Sequence, residues 1–498
     1  MFALYLLLLL APPSGNAAWP AGAAVSPVNQ SQDTQPTPKQ DFPKGQIVAK
    51  VTCTQAPTQS YALYLPSNYD AARRWPILYA FDPGARGQVP VDRFQEAAEK
   101  FGWIIAGSNN SRNASIQSSI DAWNAITRDT ADKFSIDGGR VYAAGFSGGA
   151  RMAILFATQC HDCLTGVIAG GAGFPEGIEP DAKMHFALFA AAGIDDFNFA
   201  EIKMLAEKLS RLNMPHLTET FAGRHEWLPS SVAMDAVAWM ELLAMKTKLR
   251  QRDDPLIESL WNQRLKQAQE LEDAKNLYDA YQRYVNLSAS FKGLREVADI
   301  ENKLNQLRNG REVRDALRDE QQQIKKQREL EDKIIDLINH AERGKGRDNN
   351  QSPERNTQAN DEGFDDRTRL QGIMAELRRQ AVAEPDSATR RVARRVISGQ
   401  YIGLVERGSN ALQNQKRFDD AVWFFSMATE VDPERAGAFY NLAWAYGAKG
   451  DKKKSLKALQ TAVDKGFSDA AALAANKAFD SLRDDPQYQK IISSLKTR

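Results

Sequence analysis

The sequence predicts an α/β domain with a mostly parallel sheet covered by helices on both faces, followed by an all-α half. Two observations support this. Up to about residue 245, short apolar runs alternate with stretches of helical spacing. Beyond about residue 250 the chain is rich in Gln, Leu and Glu, and residues 321–343 carry apolar side chains three and four positions apart. A length of 498 residues fits two or three domains.

The elements of the α/β domain follow in a regular order. Strands at 47–54 and 61–66 are predicted to form an opening antiparallel pair. The remaining elements alternate, as a parallel sheet requires: a strand at 75–82, a helix at 91–101, a strand at 103–107, a helix at 116–134, a strand ending at 144, a helix at 150–158, and strands at 165–170, 185–192 and 217–221.

The turn at 145–149, Gly-Phe-Ser-Gly-Gly, lies between an apolar strand run and a helix-forming run. A serine in such a turn has a strained backbone that glycine neighbours accommodate, and its hydroxyl projects from the carboxyl edge of the sheet. An ordinary strand-to-helix turn also uses small residues, so the pattern needs support from elsewhere in the chain. It predicts a nucleophile elbow with Ser147 as the nucleophile, which requires an imidazole base and a carboxylate to orient that base.

His225 is the histidine best placed to be the base, because it lies in a loop that directly follows a strand. The other four occur in less suitable places: His161 between two cysteines, His185 and His216 before apolar runs, and His340 in a charged helical stretch.

The carboxylate is expected where the strand at 185–192 ends, and both Asp195 and Asp196 are candidates. The resulting chain order of serine, aspartate and histidine is that of α/β-hydrolases. Such a site also needs oxyanion donors, each worth roughly 3 kcal/mol of barrier. We expect these to be the backbone N–H of Gly148 and, after the strand at 76–81, that of Gly84, because Pro83 has no N–H.

Residues 45–245 resemble the secreted esterase branch of the α/β-hydrolases, the polyhydroxybutyrate-depolymerase-like and feruloyl-esterase-like proteins. The resemblance lies in residues 140–153, 193–198 and 223–227. It implies Ser147 as nucleophile, Asp196 as acid with Asp195 as the fallback, and His225 as base. It also implies cleavage of an ester substrate through an acyl-enzyme, with no metal or organic cofactor.

The chain departs from this family in the oxyanion loop, where many relatives carry a His-Gly pair and this sequence carries Asp82-Pro83. A carboxylate pointing into the site would oppose the developing negative charge. We therefore expect Asp82 to face a local backbone or arginine partner.

The amino terminus predicts a secretory signal peptide at 1–23 and a disordered lead-in at 24–45, hence a secreted or periplasmic protein. The apolar run at 2–11 is too short to span a membrane, although a misassigned start or a buried segment would also fit it.

Cys160 and Cys163 are expected to form a structural disulfide or to be buried thiols, with Cys53 as a possible third partner. The net charge of +1 gives no attraction to nucleic acid or anionic lipid.

The α/β domain is assigned to 46–248, a helical connector to 249–343, a flexible linker to 344–366 and a repeat domain to 367–498. The connector is predicted to form solvated helical hairpins, with a coiled coil as second choice. In the repeat domain, positions 421, 425 and 428 recur at 455, 459 and 462, a separation of 34 residues. This resembles tetratricopeptide repeats, which present a surface for a protein partner or for self-association, although a plain helical bundle is the alternative.

Two other functions remain open on the sequence. A peptidase of the same fold would carry out the same acyl transfer on an amide. A non-catalytic scaffold would use the hydrolase domain only as a platform for the repeats, and the Asp82-Pro83 departure keeps this alternative open.

Overall fold

A computed structural model describes residues 41–113, 116–160, 162–345 and 353–496, without the side chains of 343–365 and 496. The chain divides into two compact units, one ending at Gln322 and the other beginning at Gln323. The predicted signal peptide and most of the lead-in lie outside the described residues. Among the helices that are described, none has the length and apolar character needed to cross a membrane.

The first unit is built on an eight-stranded sheet in the order β1-β2-β4-β3-β5-β6-β7-β8. Strand β2 pairs antiparallel with β1 and β4, and every other pair is parallel, so the predicted fold class is confirmed. The strands are β1 Ile47–Thr52, β2 Ser60–Tyr64, β3 Trp75–Phe81, β4 Ile104–Ser108, β5 Ile136–Phe146, β6 Gly166–Gly170, β7 Ala187–Gly193 and β8 His216–Phe221.

Helices cover both faces of the sheet, and each face has its own apolar core. Successive side chains of a strand point to opposite faces, so Tyr79 of β3 joins one core and Leu78 joins the other. The first core packs against α2 Ile116–Lys133, α3 Gly148–Gln159 and α4 Phe199–Arg211; the second packs against α1 Gln88–Phe101 and α5 Ser230–Lys246.

Three more helices complete this unit: α6 Asp254–Asp273, α7 Leu277–Phe291 and α8 Ala298–Asn309. They share an apolar core with α5, and α7 also contacts the edge strand β8, where Asn286 donates a hydrogen bond to the carbonyl of Thr218 at 3.3 Å. The sequence predicts solvated helical hairpins for the connector at 249–343, which includes the α6–α7 hairpin. This hairpin is instead packed on the sheet domain, because the apolar side chains of α6 and α7 fill the space beside α5.

Charged side chains join this hairpin to the edge strand, and of these Glu219 is buried. Arg283 of α7 lies 2.6 Å from Glu219 of β8 and 3.4 Å from Asp235 of α5, which in turn lies 3.4 Å from Arg264 of α6. Burial, together with the neighbouring Asp235, raises the pKa of Glu219 to about 7.

The raised pKa of Glu219 predicts that stability falls as pH rises from about 4.5 to about 7. In that window the folded protein retains a proton that the unfolded chain has released, which gives a slope of up to about 1.4 kcal/mol per pH unit. Glu219→Gln removes the ionisation, so urea unfolding from pH 5 to 8 should show a shallower slope than wild type. The exposed Glu207→Gln is the matched control. Equal slopes in wild type and Glu219→Gln would contradict the prediction.

The second unit is helical. Its helices include α10 Pro353–Ala381, α11 Ala388–Gln413, α12 Phe418–Val431, α13 Ala436–Lys449, α14 Lys452–Asp464, α15 Ala470–Ala475, a 3-10 helix at Lys477–Leu482 and α16 Pro486–Lys496, and α9 Arg311–Lys345 leads into it. Of the linker predicted at 344–366, residues 346–352 lie outside the described part of the chain, and the remainder belongs to α9 and α10.

The spacing of 34 residues reappears in the helices of this unit. Helices α12 and α14 begin at Phe418 and Lys452, and α13 and α15 begin at Ala436 and Ala470, so both pairs are offset by 34. The six side chains matched by the sequence repeat are all fully buried: Ala421, Phe425, Ala428, Ser455, Leu459 and Ala462. The repeated positions are therefore the packing positions of the helix pairs.

Candidate active site

Ser147 lies at the sharp turn between β5 and α3. Its backbone has φ 55° and ψ −124°, a conformation that L-residues rarely adopt and that marks stored strain. The turn is held to the next strand because the Ser147 N–H donates to the Gly170 carbonyl at 2.8 Å. The elbow geometry that the small residues at 145–149 predicted is therefore present, and the serine side chain is positioned at the carboxyl edge of the sheet.

Ser147, His225 and Asp196 form a continuous hydrogen-bonded chain. The Ser147 Oγ lies 2.9 Å from His225 Nε2, and His225 Nδ1 lies 2.9 Å from Asp196 Oδ1. An ionised carboxylate only accepts hydrogen bonds, so Nδ1 carries the proton and the neutral ring presents Nε2 as the acceptor for the serine hydroxyl. His225 keeps 10% of its side chain exposed while Asp196 is fully buried, so the imidazole is the member of this chain that meets solvent.

The carboxylate comes from Asp196, one of two adjacent candidates left open by the sequence. Its Oδ1 also accepts the backbone N–H of Asn198 at 2.8 Å, which fixes the carboxylate in place. Two rings contact the imidazole, Phe197 at 4.1 Å and Phe146 at 4.6 Å between centroids. The backbone N–H of the adjacent Asp195 donates to the Gly223 carbonyl at 2.9 Å, tying the acid loop to the histidine loop.

Asp82 is fully buried and faces the partners expected of it. Its Oδ1 accepts from Arg86 Nε and its Oδ2 from Arg86 Nη2, both at 2.9 Å. Trp227 Nε1–H donates to Oδ2 at 2.8 Å, which joins the loop after β3 to the loop that carries His225. The carboxylate is thus satisfied by these donors, and it braces two loops of the site.

The structure departs from the expectation for Gly84. Its backbone N–H donates to Asp82 Oδ1 at 2.8 Å and is therefore engaged within its own loop, so it is not free to bind an oxyanion. The sequence shows that Asp82 replaces the residue common in the resembling family. It does not show that the Asp82 carboxylate accepts a hydrogen bond from the Gly84 N–H. By contrast, Gly148 is the first residue of α3, and the first N–H groups of a helix have no acceptor within that helix. The Gly148 N–H makes no hydrogen bond to another described residue.

Asn113 lies against Gly148 and was not identified from the sequence. A Cβ built on Gly148 would lie 2.0 Å from Asn113 Oδ1 and 2.7 Å from Asn113 Nδ2, so the amide packs directly on the Gly148 backbone. The Asn113 N–H donates to the Pro83 carbonyl at 3.2 Å, so this loop is also tied to the loop after β3. An asparagine in a polar loop carries no distinguishing sequence signal, which is why it was missed.

A second residue missed by the sequence analysis is Arg151, one turn into α3. Its side chain is buried, and it donates to both carboxylate oxygens of Glu201 at 2.9 Å and to the Phe174 carbonyl at 2.6 Å. Glu201 also accepts the Gly173 N–H at 2.8 Å. This ion pair anchors the loop after β6 to α3, the helix that follows Ser147.

The arrangement can carry out acyl transfer. The imidazole is in contact with the serine hydroxyl as a base, the buried carboxylate fixes the tautomer, and the first turn of α3 directs a free N–H and the positive end of its dipole towards the space beside Ser147.

The cysteines lie away from this chemistry. Cys160 and Cys163, at the end of α3, form a disulfide, one of the two states expected of them. Cys53 is a buried free thiol, and burial beside Asp129 raises its pKa to about 12, so it is not a candidate nucleophile.

The sequence matches no family model and no curated protein. One similar solved structure is S-formylglutathione hydrolase from Staphylococcus aureus, which is 16% identical; the match covers 40% of this chain and 99% of that chain, with a TM-score of 0.32. A second is a ferulic acid esterase, which is 16% identical; the match covers 39% of this chain and 97% of that chain, with a TM-score of 0.34. A third is an esterase from the archaeon Pyrobaculum calidifontis, which is 14% identical; the match covers 41% of this chain and 87% of that chain, with a TM-score of 0.33. The chain is thus similar to hydrolases and esterases over about 40% of its length, at values that assign neither a substrate nor residue roles.

Proposed function

We propose that the protein is a serine hydrolase that cleaves carboxylic esters through an acyl-enzyme intermediate. The observation that carries this proposal is the hydrogen-bonded chain from Ser147 through His225 to Asp196. In line with the sequence resemblance, we place the domain in the secreted esterase branch of the α/β-hydrolases.

The proposed reaction begins when Ser147 Oγ attacks the ester carbonyl while His225 Nε2 takes the hydroxyl proton. Asp196 stabilises the imidazolium that forms, and the negative charge on the carbonyl oxygen is received by the Gly148 N–H. The imidazolium then gives its proton to the leaving alcohol as the acyl-enzyme forms. Water activated by His225 releases the acid and restores Ser147.

The test is covalent labelling with a fluorophosphonate probe, together with hydrolysis of p-nitrophenyl acyl esters. Wild type should be labelled and active, and Ser147→Ala should lose labelling altogether and activity by roughly 10⁴-fold or more, because the attacking oxygen is gone. Ser210→Ala is the matched control, since Ser210 lies on α4 and bonds locally to Ala206 and His216. Labelling that persists in Ser147→Ala would contradict the proposal.

The same assays distinguish the two alternatives. A peptidase would hydrolyse aminoacyl amides at rates comparable with or above those of the esters. A non-catalytic scaffold would show neither labelling nor turnover with any substrate in the panel. The Gly148 N–H, which bonds no other described residue, and the pairing of Asp82 with Arg86 favour an enzyme over a scaffold.

We further propose that the carboxyl-terminal helices are tetratricopeptide-like and bind a protein partner or a second copy of the chain. The support is the offset of 34 residues shared by the helix starts and by the buried positions. A secreted or periplasmic location is also proposed, and the Cys160–Cys163 disulfide is compatible with it.

A further inference from the structure

The proposed oxyanion site has the Gly148 N–H as a backbone donor at the elbow. Acyl-transfer sites of this kind use at least two donors directed at the developing charge. The Gly148 N–H is free, but the Gly84 N–H is bonded to Asp82 and Pro83 has none to offer. The N–H of Ala85 is also engaged, since it donates to the Asp82 carbonyl at 3.1 Å.

The side chain of Asn113 lies against Gly148. Its Cγ is 2.5 Å from the position that a Gly148 Cβ would take, so the amide packs directly beside the residue that carries this N–H. The backbone fixes this placement, because Asn113 N–H bonds the Pro83 carbonyl and the adjacent Arg112 pairs with Gly84 as an isolated β-bridge.

The Asn113 amide is also unsatisfied. Its Nδ2 is buried and has no hydrogen-bond partner, a state that costs about 1 to 3 kcal/mol and that is rare in folded proteins. Rotation of the amide about its last side-chain bond exchanges Nδ2 and Oδ1, so the N–H₂ group can occupy either end of the amide that contacts Gly148.

We propose that Asn113 is a catalytic residue whose side-chain N–H₂ donates the second hydrogen bond to the oxyanion, beside the N–H of Gly148. This inference rests on the proposed serine-hydrolase function. A donor that is unpaired in the resting protein and paired only when charge develops on the substrate oxygen stabilises the transition state more than the ground state, and that difference raises kcat.

The experiment compares Asn113→Ala and Asn113→Asp with wild type on a p-nitrophenyl ester. In Asn113→Ala we expect kcat to fall roughly 10²- to 10³-fold with KM within about threefold, as for loss of one oxyanion donor. The kcat of Asn113→Asp should fall at least as far, because a carboxylate repels the oxyanion. Affinity for an alkyl boronic acid, whose tetrahedral adduct imitates the intermediate, should fall in parallel. The thermal midpoint should not fall, because Nδ2 makes no bond to lose.

Asn110→Ala is the matched control from the same loop. Asn110 accepts the Ser60 N–H at 2.8 Å and donates to the Thr58 carbonyl at 3.0 Å, so its loss should lower stability and leave kcat near wild type. The Asn113 assignment is overturned if kcat of Asn113→Ala stays within threefold of wild type, or if boronate affinity is unchanged. If the wild type is neither labelled by fluorophosphonate nor active, the proposed function itself is wrong. The role of Asn113 is then wrong as well.

Discussion

His225→Ala should lower kcat/KM for an activated ester by roughly 10⁴- to 10⁶-fold while leaving the fold intact. The variant removes the group placed to take the hydroxyl proton, since His225 Nε2 lies 2.9 Å from Ser147 Oγ. The unassisted hydroxyl is a poor nucleophile at neutral pH, so loss of the base costs about as much as loss of the serine. Stopped-flow or steady-state release of p-nitrophenolate measures the effect.

His216→Ala is the matched control for this prediction. His216 begins β8, and its ring contacts the Met214 carbonyl in the preceding turn at 2.8 Å and Ser210 Oγ on α4 at 3.1 Å. Its loss should leave kcat/KM within a few-fold of wild type. An active His225→Ala variant, or an equally damaged His216→Ala variant, would show that the imidazole at 225 is not the base.

Gly145→Ala should destabilise the first unit by about 3 kcal/mol, the upper end of the range for overpacked sites, and should abolish labelling of Ser147. A Cβ at this position would lie 2.1 Å from the Gly149 carbonyl oxygen and 2.4 Å from the Ala150 nitrogen. These are backbone atoms of the elbow and the start of α3, so they cannot move aside without displacing the serine. Urea unfolding and fluorophosphonate labelling measure the two effects.

Gly139→Ala is the control within the same strand. The nearest atoms to its Cβ, on Asp137 and Leu249, lie at ordinary contact distance, 3.5 Å, so the change in unfolding free energy should stay below about 1 kcal/mol. If Gly145→Ala were as stable and as readily labelled as Gly139→Ala, the close approach of strand and helix at the elbow would not be required for the site.

Much of the site followed from local patterns along the chain. Strand, small-residue turn and helix around Ser147 are fixed by residues that are neighbours in sequence, and the loops carrying Asp196 and His225 each follow a strand whose carboxyl end lies at the same edge of the sheet. Parallel strands bring such loops together whatever their separation in the sequence, which is why the three side chains could be predicted to meet.

Features that depend on contacts across loops could not be predicted in the same way. The expectation that Asp82 turns to a local arginine is met by Arg86, yet the loss of the Gly84 donor depends on a backbone geometry that no motif encodes. Asn113 reaches Gly148 only because its loop is bonded to Pro83. The contact of Arg283 with Glu219 likewise required knowing where α7 packs.

The most direct test of the central claim is to locate the fluorophosphonate adduct by tandem mass spectrometry, in wild type and in His225→Ala. We expect one phosphonyl group per chain on Ser147 of the wild type, and labelling slowed by at least 10²-fold without the imidazole. An adduct on another serine, or a rate unaffected by removal of His225, would contradict the assignment of Ser147 as a nucleophile activated by His225.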